Sequence, residues 1–392
     1  MKIVIVSMFM NHYHIQLSDE LYRLTDGCFY FVETKELPVE FKKGGFSDYD
    51  RPYIIHAWES KESEKKAIRL AVEADVMIAG GGKFVVKYEK ERLKYNKLTF
   101  ESAERILKRG LINMISPTNI LTQLSYHFLF YRKPLYKLCI SGYAATDMYF
   151  QKAYINKCYK FAYFPTIPEY NPEAIIQNVK PDYKHIKIIW CARFIKWKHP
   201  ELAVLLAERI RDKGYDFEIN MIGGGPLYDN IKELIDAKGL ADFVHLLGNH
   251  PNKEVLEMMA RHHIFLFTSD KNEGWGVVLN EAMGRVCCPV ASHLIGAVPF
   301  LLEHKSNGLV FESGNLDSLT ENIEFLINHP DEMKRMSLKA YFTMKDTWNP
   351  CEVAKRLIRF FEEFLSGNVA FTFKDGPLSV ATPISEKYSE LI

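Results

Sequence analysis

Two glutamates eight positions apart, Glu273 and Glu281, lie within Ser269-Asp-Lys-Asn-Glu-Gly-Trp-Gly-Val-Val-Leu-Asn-Glu-Ala-Met283. Carboxylates accept hydrogen bonds from vicinal hydroxyls, so a pair at this spacing suits a ligand with a sugar at one end and a ribose at the other. Gly274 and Gly276 flank Trp275 and permit close approach to the backbone. A helix opening near Gly276 adds first-turn amides, which attract anions. The spacing alone fits equally well an acid serving the helix dipole, with the other glutamate exposed.

Holding such residues takes a strand, a loop and a helix start. Residues 263–267, His-Ile-Phe-Leu-Phe, have the character of a buried parallel strand, and 277–283 have helical spacing. The same alternation recurs along the chain. Residues 2–10 predict a strand running into Asn11-His12-Tyr13-His14, then a helix over 18–24 capped by Ser18. Ligands of doubly wound sheets gather at the carboxyl ends of strands, which puts His12 and His14 beside an acceptor, or leaves them ordinary loop histidines. A helix over 61–74 and a strand over 76–80 follow, then Gly80-Gly-Gly82-Lys83, either a phosphate cradle or a tight turn. After a strand at 97–100, residues 101–109 resemble a helix start, with Glu104 and Arg105 turned to the same cleft or forming solvated charge pairs. Residues 121–138 mix aromatic, apolar and basic side chains, as a segment on an anionic membrane does, and as a core helix with a basic edge also does. Pro165, Pro168, Pro172 and Pro181 break all periodicity, so a linker is expected over 165–185. Strands at 186–192, 217–222 and 244–248 and a helix at 201–213 then begin a second series.

Glu-x7-Glu enclosing Glu-Gly-Trp-Gly and Glu-Ala-Met resembles the signature of retaining glycosyltransferases of family 4. The resemblance covers residues 186–315 best. It implies an α/β GT-B fold of two Rossmann-like doubly wound domains across a cleft: 1–164 for the acceptor, a linker at 165–185, 186–347 for the nucleotide sugar, and 348–392 as a crossover helix and tail returning to the first domain. In that family an arginine and a lysine five positions apart hold the donor diphosphate, and Arg193 and Lys198 fit. A guanidinium chelates phosphate oxygens and an ammonium adds a point charge, so no metal is needed. The resemblance assigns Glu281 to ribose hydroxyls, Glu273 to the transferred sugar, and the turns at Gly224 and Gly248 to the donor side. It also implies amides of the 295–299 loop near sugar or phosphate. Relatives run Glu-Ala-Met, two residues, Gly, one residue, Pro-Val; here Glu281-Ala-Met-Gly-Arg-Val-Cys-Cys-Pro289 has an extra residue and an early glycine, so a reshaped helix end is expected. The reaction implied is retaining transfer from a UDP- or GDP-sugar to a glycan or lipid-linked acceptor, with no cofactor. The alternatives are a GT-B epimerase or phosphorylase, or a non-catalytic sugar-nucleotide-binding subunit.

The composition agrees with an ordinary soluble two-domain protein: 392 residues, 47% hydrophobic and 25% charged. A net charge of +1 says nothing about partners on its own, and no nucleic-acid partner is expected; residues 83–137 carry twelve Lys or Arg against four Glu, as a basic face on the first domain would. There is no apolar run of spanning length and no zinc pattern, and the opening strand lacks a cleavage site. Seven cysteines without Cys-x-x-Cys suggest reduced thiols. The expected location is cytoplasmic, with peripheral contact at the inner face of the membrane.

Overall fold

The buried apolar runs form two parallel sheets, each in its own compact unit. The computed structural model describes residues 1–38, 48–82, 84–108, 110–169 and 171–392; Lys83 of the glycine loop and Arg109 of the 101–109 segment lie outside them. The first unit comprises Met1–Thr166 with Thr347–Ile384, the second Ile167–Asp346 with Ser385–Ile392.

In the first unit, β1 (Ile3–Ser7), β2 (Phe29–Glu33), β3 (Ile54–His56), β4 (Val76–Gly80), β5 (Thr99–Glu104), β6 (Leu135–Ile140) and β7 (Cys158–Lys160) take the order β3-β2-β1-β4-β5-β6-β7. The order reverses at β1, the mark of a doubly wound sheet. Ser18 is no cap: the helix already starts at Ile15, and Ser18 is buried inside it. The 101–109 segment corrects the expectation of a helix, because β5 runs on to Glu104. There Glu101 pairs with Ala79 on one side and Lys137 on the other, and ladder bonds on both edges outweigh local helix propensity. The helix Pro350–Leu365 packs against Ile15–Leu24. Pro350 holds its first position, where a missing N–H costs nothing, and the Asn349 side chain caps it. Its Phe360, Phe361 and Phe364 rings lie 5.2–5.7 Å from that of Phe100.

In the second unit, β8 (Ile186–Cys191), β9 (Phe217–Ile222), β10 (Val244–Gly248), β11 (Ile264–Phe267), β12 (Cys288–Ser292) and β13 (Leu309–Phe311) take the order β10-β9-β8-β11-β12-β13. Chain order reverses at β8, so the crevice between the ends of β8 and β11 is the topological switch point, where ligands of such sheets bind. Ile188, Trp190, Ile219, Leu266 and Val290 anchor a core closed by helices Pro200–Asp212, Leu316–Asn328 and Pro330–Phe342. Within the 165–185 stretch, Lys180 is buried, and its ammonium donates to the carbonyls of His262 at 3.1 Å and Val286 at 2.5 Å. Among the described residues, no helix is long and apolar enough to cross a membrane.

Candidate functional site

The loops after β8 and β11 are tied together before any ligand is considered. The Thr268 hydroxyl donates to the Lys198 carbonyl at 2.6 Å and accepts from the Trp190 indole at 2.8 Å. The Asp270 amide donates to the Trp197 carbonyl, and His199 bridges Glu201 and Asp270. These bonds bring Lys198 onto Glu273: the ammonium forms an ion pair with Glu273 Oε2, which also accepts from the Ser269 hydroxyl at 3.1 Å. The two side chains are 11% and 12% exposed, so the pair lines the switch-point crevice without being sealed off. Lys198 Nζ also lies 4.3 Å from the Trp197 ring centroid. Arg193 stands exposed at the end of the same strand, with no side-chain hydrogen bond or ion pair among the described residues.

Glycine at 276 is a steric requirement. Its φ is +92°, and a Cβ there would stand 2.7 Å from the Phe267 ring. The buried Trp275 indole donates to Asn280 at 2.9 Å and locks the loop onto the following helix. That helix spans Val278–Met283, two residues later than expected. Glu281 is buried on it, accepts from Asn252 Nδ2 at 3.2 Å, and is pushed above the ordinary carboxylate range by burial. Burial, and secondarily the Glu281 charge, likewise raises the Cys191 thiol at the end of β8 to about 12. Asn252 and Ser269 complete the cluster. Ser269 opens the Glu-x7-Glu stretch, whereas nothing in the sequence marks Asn252.

The glycine turn after β9 packs closely on this chain's own backbone: at Gly223, φ +132°, a Cβ would fall 2.0 Å from the Ala192 carbonyl oxygen. Gly224 abuts Asn249, and Gly248, φ +73°, accepts from the Gly223 amide at 2.8 Å. In the 295–299 loop, the Gly296 and Ala297 amides are spent on the Glu273 and Trp275 carbonyls. They fix the Glu273 loop and are not left for sugar or phosphate.

In the first unit, His14 and Glu104 meet through Tyr163, whose hydroxyl donates to Glu104 at 3.1 Å and whose ring lies 6.4 Å from that of His14. Glu104 also pairs with Lys108. Burial lowers His12, and burial with His12 lowers His14 to about 4, so both are neutral at pH 7 and carry no charge for a phosphate. Arg105 corrects its expectation: it is 5% exposed and pairs with Asp147, which also accepts from the Ile106 and Leu107 amides. It holds the β5 loop and faces inward because a buried carboxylate needs that partner.

Residues 172–342 match the family model described as glycosyl transferases group 1. With two parallel-sheet Rossmann-like units, the fold is GT-B. Among curated proteins, an uncharacterized glycosyltransferase of Methanocaldococcus jannaschii is 31% identical over 156 residues, 39% of this chain and 43% of that protein. The putative colanic acid biosynthesis glycosyltransferase WcaL of Escherichia coli K12 is 29% identical over 150 residues, 37% of each chain. The matched part is thus less than half the length of either relative. HepE of Anabaena, solved in complex with UDP, shares the fold at TM-score 0.69 and 15% identity, over 93% of this chain and 100% of that one.

Proposed function

We propose that the protein is a retaining, metal-independent glycosyltransferase of family 4 that moves a sugar from a UDP- or GDP-sugar to an acceptor hydroxyl in bacterial surface polysaccharide assembly. The observation that carries this reading is the Lys198–Glu273 pair in the crevice between β8 and β11, with Arg193, unpartnered among the described residues, just beyond the end of β8. Arg193 and Lys198 take the diphosphate, Glu273 the hydroxyls of the transferred sugar and Glu281 those of the ribose. Gly224, Gly248, Gly274, Trp275 and Gly276 shape the donor's surroundings, and the acceptor occupies the first unit. The acceptor oxygen bonds to the anomeric carbon as the bond from that carbon to the phosphate oxygen breaks. The acceptor proton passes to the departing phosphate, whose charge the guanidinium and ammonium stabilise. Supporting it are the UDP-glucose complex of Anabaena HepE and the polysaccharide-related names of several relatives.

The test is a screen of UDP-, GDP-, ADP- and CMP-sugars for slow hydrolysis and thermal stabilisation. One nucleotide class should stabilise the protein, and Arg193→Ala should weaken that effect by about tenfold in donor concentration, one charge-assisted contact's worth. Stabilisation and turnover that survive Arg193→Ala unchanged remove the diphosphate assignment.

A peripheral membrane contact with a lipid-linked acceptor belongs to the same reading. Phe128 is 81% exposed and Leu121 64%; Leu124, Leu129 and Tyr131 are exposed with them, and Arg132 follows. Monomeric proteins rarely leave such a stretch bare without a partner, and an apolar face edged by a cation suits an anionic leaflet. Vesicles of phosphatidylglycerol should sediment the protein, phosphatidylcholine vesicles should not, and Phe128→Asp with Leu121→Asp should abolish binding. Equal sedimentation with both lipids, or binding that survives the substitutions, argues against this contact.

A further inference from the structure

The glycine loop after β4 borders a pocket that carboxyl groups also line. Gly81 and Gly82 are exposed at the mouth of a cavity of about 230 Å³, which lies wholly within the first unit. Carboxyl groups stand inside it. Glu101 lines one wall, paired with Lys137 at 2.9 Å and bonded to the Tyr154 hydroxyl. Burial works against both charges, but Lys137 and the Tyr154 hydroxyl hold Glu101 below the usual carboxylate range. The anion and cation therefore cancel, and neither is free to balance a charged guest. Glu89 also lines the cavity, with no side-chain hydrogen bond among the described residues. Burial first, and Glu101 second, push it up to about 8, so at neutral pH it is a neutral acid that can donate. An anionic guest would meet the same cost that keeps Glu89 protonated.

Two amides have no partner among the described residues. The side-chain nitrogens of Gln151 and Gln123 make no hydrogen bond among the described residues, and Gln151 is only 8% exposed. Unpaired buried amides cost free energy, and native proteins seldom leave them so without a water or a ligand to fill the gap. The Tyr126 and Tyr154 rings, 4.5 Å apart, supply the apolar part of the lining. The volume falls below the ~300–1,000 Å³ of clefts that take drug-sized ligands, which limits the guest to a single ring.

We propose that this cavity binds one sugar ring that bears no negative charge, with the Gln151 and Gln123 amides and the Glu89 and Glu101 carboxyls meeting its hydroxyls. Its role as the seat of the acceptor's terminal residue rests on the glycosyltransferase reading; the binding itself does not.

The experiment uses the full chain, free of nucleotide, with calorimetric titration of glucose, N-acetylglucosamine, glucosamine, glucuronate and glucose 6-phosphate. At least one of the first three binds, and the two anionic sugars bind about tenfold more weakly or not at all, the margin of one lost charge-sensitive contact. Gln151→Leu weakens the bound sugar by about the same factor. Gln123→Leu, at a less buried position, serves where the first variant fails to fold. Binding of none of the first three, equal binding of the anionic sugars, or affinity untouched by both substitutions overturns the assignment. Ring binding without any nucleotide-sugar turnover keeps the cavity and sinks the transferase reading. Turnover without ring binding does the reverse.

Discussion

Alanine in place of Lys198 is expected to lower donor turnover, as kcat/KM, by about 10²–10³-fold, the usual loss when one preorganised group facing a developing negative charge is removed. Glu273→Ala should fall in the same range if its carboxylate grips the transferred sugar. The competing explanation is structural. Lys198 and Glu273 are mostly shielded, so removing either one leaves the other's charge uncompensated, and an unstable protein also loses activity. The double variant Lys198→Ala, Glu273→Ala separates the two. With both charges gone no buried orphan remains, so thermal stability should recover most of what either single variant loses. Turnover should stay down, because neither the ammonium for the leaving diphosphate nor the carboxylate for the sugar returns. Melting curves and donor hydrolysis rates on the four proteins decide it. A double variant with both stability and near-normal turnover would reduce the pair to a structural clip.

The strands of the second unit were legible because their apolar residues either run unbroken, as in Ile264-Phe-Leu-Phe267, or alternate with polar ones, as in Phe217-Glu-Ile-Asn-Met-Ile222. Residues 217–222 and 244–248 form β9 and β10 with the expected bounds. Edge strands of three residues, Ile54–His56 and Cys158–Lys160, carry no period that a sequence can display. Glu101 and Arg105 misled for a common reason: each looks like a surface helix residue until its partner, Lys137 or Asp147, arrives from distant sequence. At the proposed site, the resemblance to a family motif named the glutamates, the lysine and the glycines, whereas the bonds aligning them leave no mark in the sequence. The clearest case follows Met283. The extra residue signalled a changed helix end, and the structure shows how it changes. Val286, at the place where the pattern of the family it resembles has glycine, takes the left-handed turn at φ +62° while fully buried. A β-branched residue is disfavoured there, so no local rule predicts it. The Lys180 ammonium on the Val286 carbonyl is one of the contacts that hold it.

That same corner of the second unit should fail first in acid. His262 and His263 are buried, and burial lowers them to about 4 and about 3; for His263 the nearby Lys180 ammonium and His262 add to the effect. Both are used in the neutral form: His263 Nδ1 accepts from the Lys187 amide at 3.0 Å, and His262 lies between the Met258 carbonyl and the Asn220 side chain. In the unfolded chain each takes up a proton near its ordinary value of about 6.5, so below that pH the unfolded state binds more protons than the folded one. Stability is therefore full above about pH 6.5 and is lost as pH falls toward the folded values. At about 1.4 kcal/mol per unit, each histidine withdraws on the order of 3 kcal/mol by pH 4. For a unit of this size that lowers the melting temperature by roughly 6–12 °C per histidine. Glu281, raised by burial, opposes the trend, since its folded form holds a proton more readily than its unfolded form. Two strongly lowered imidazoles outweigh one raised carboxyl. His263→Asn keeps an acceptor for the Lys187 amide and cannot titrate, so its melting temperature should fall less steeply than that of the native protein between pH 6.5 and 4.5. Parallel curves for the two proteins would mean that His263 is not what makes this unit sensitive to acid.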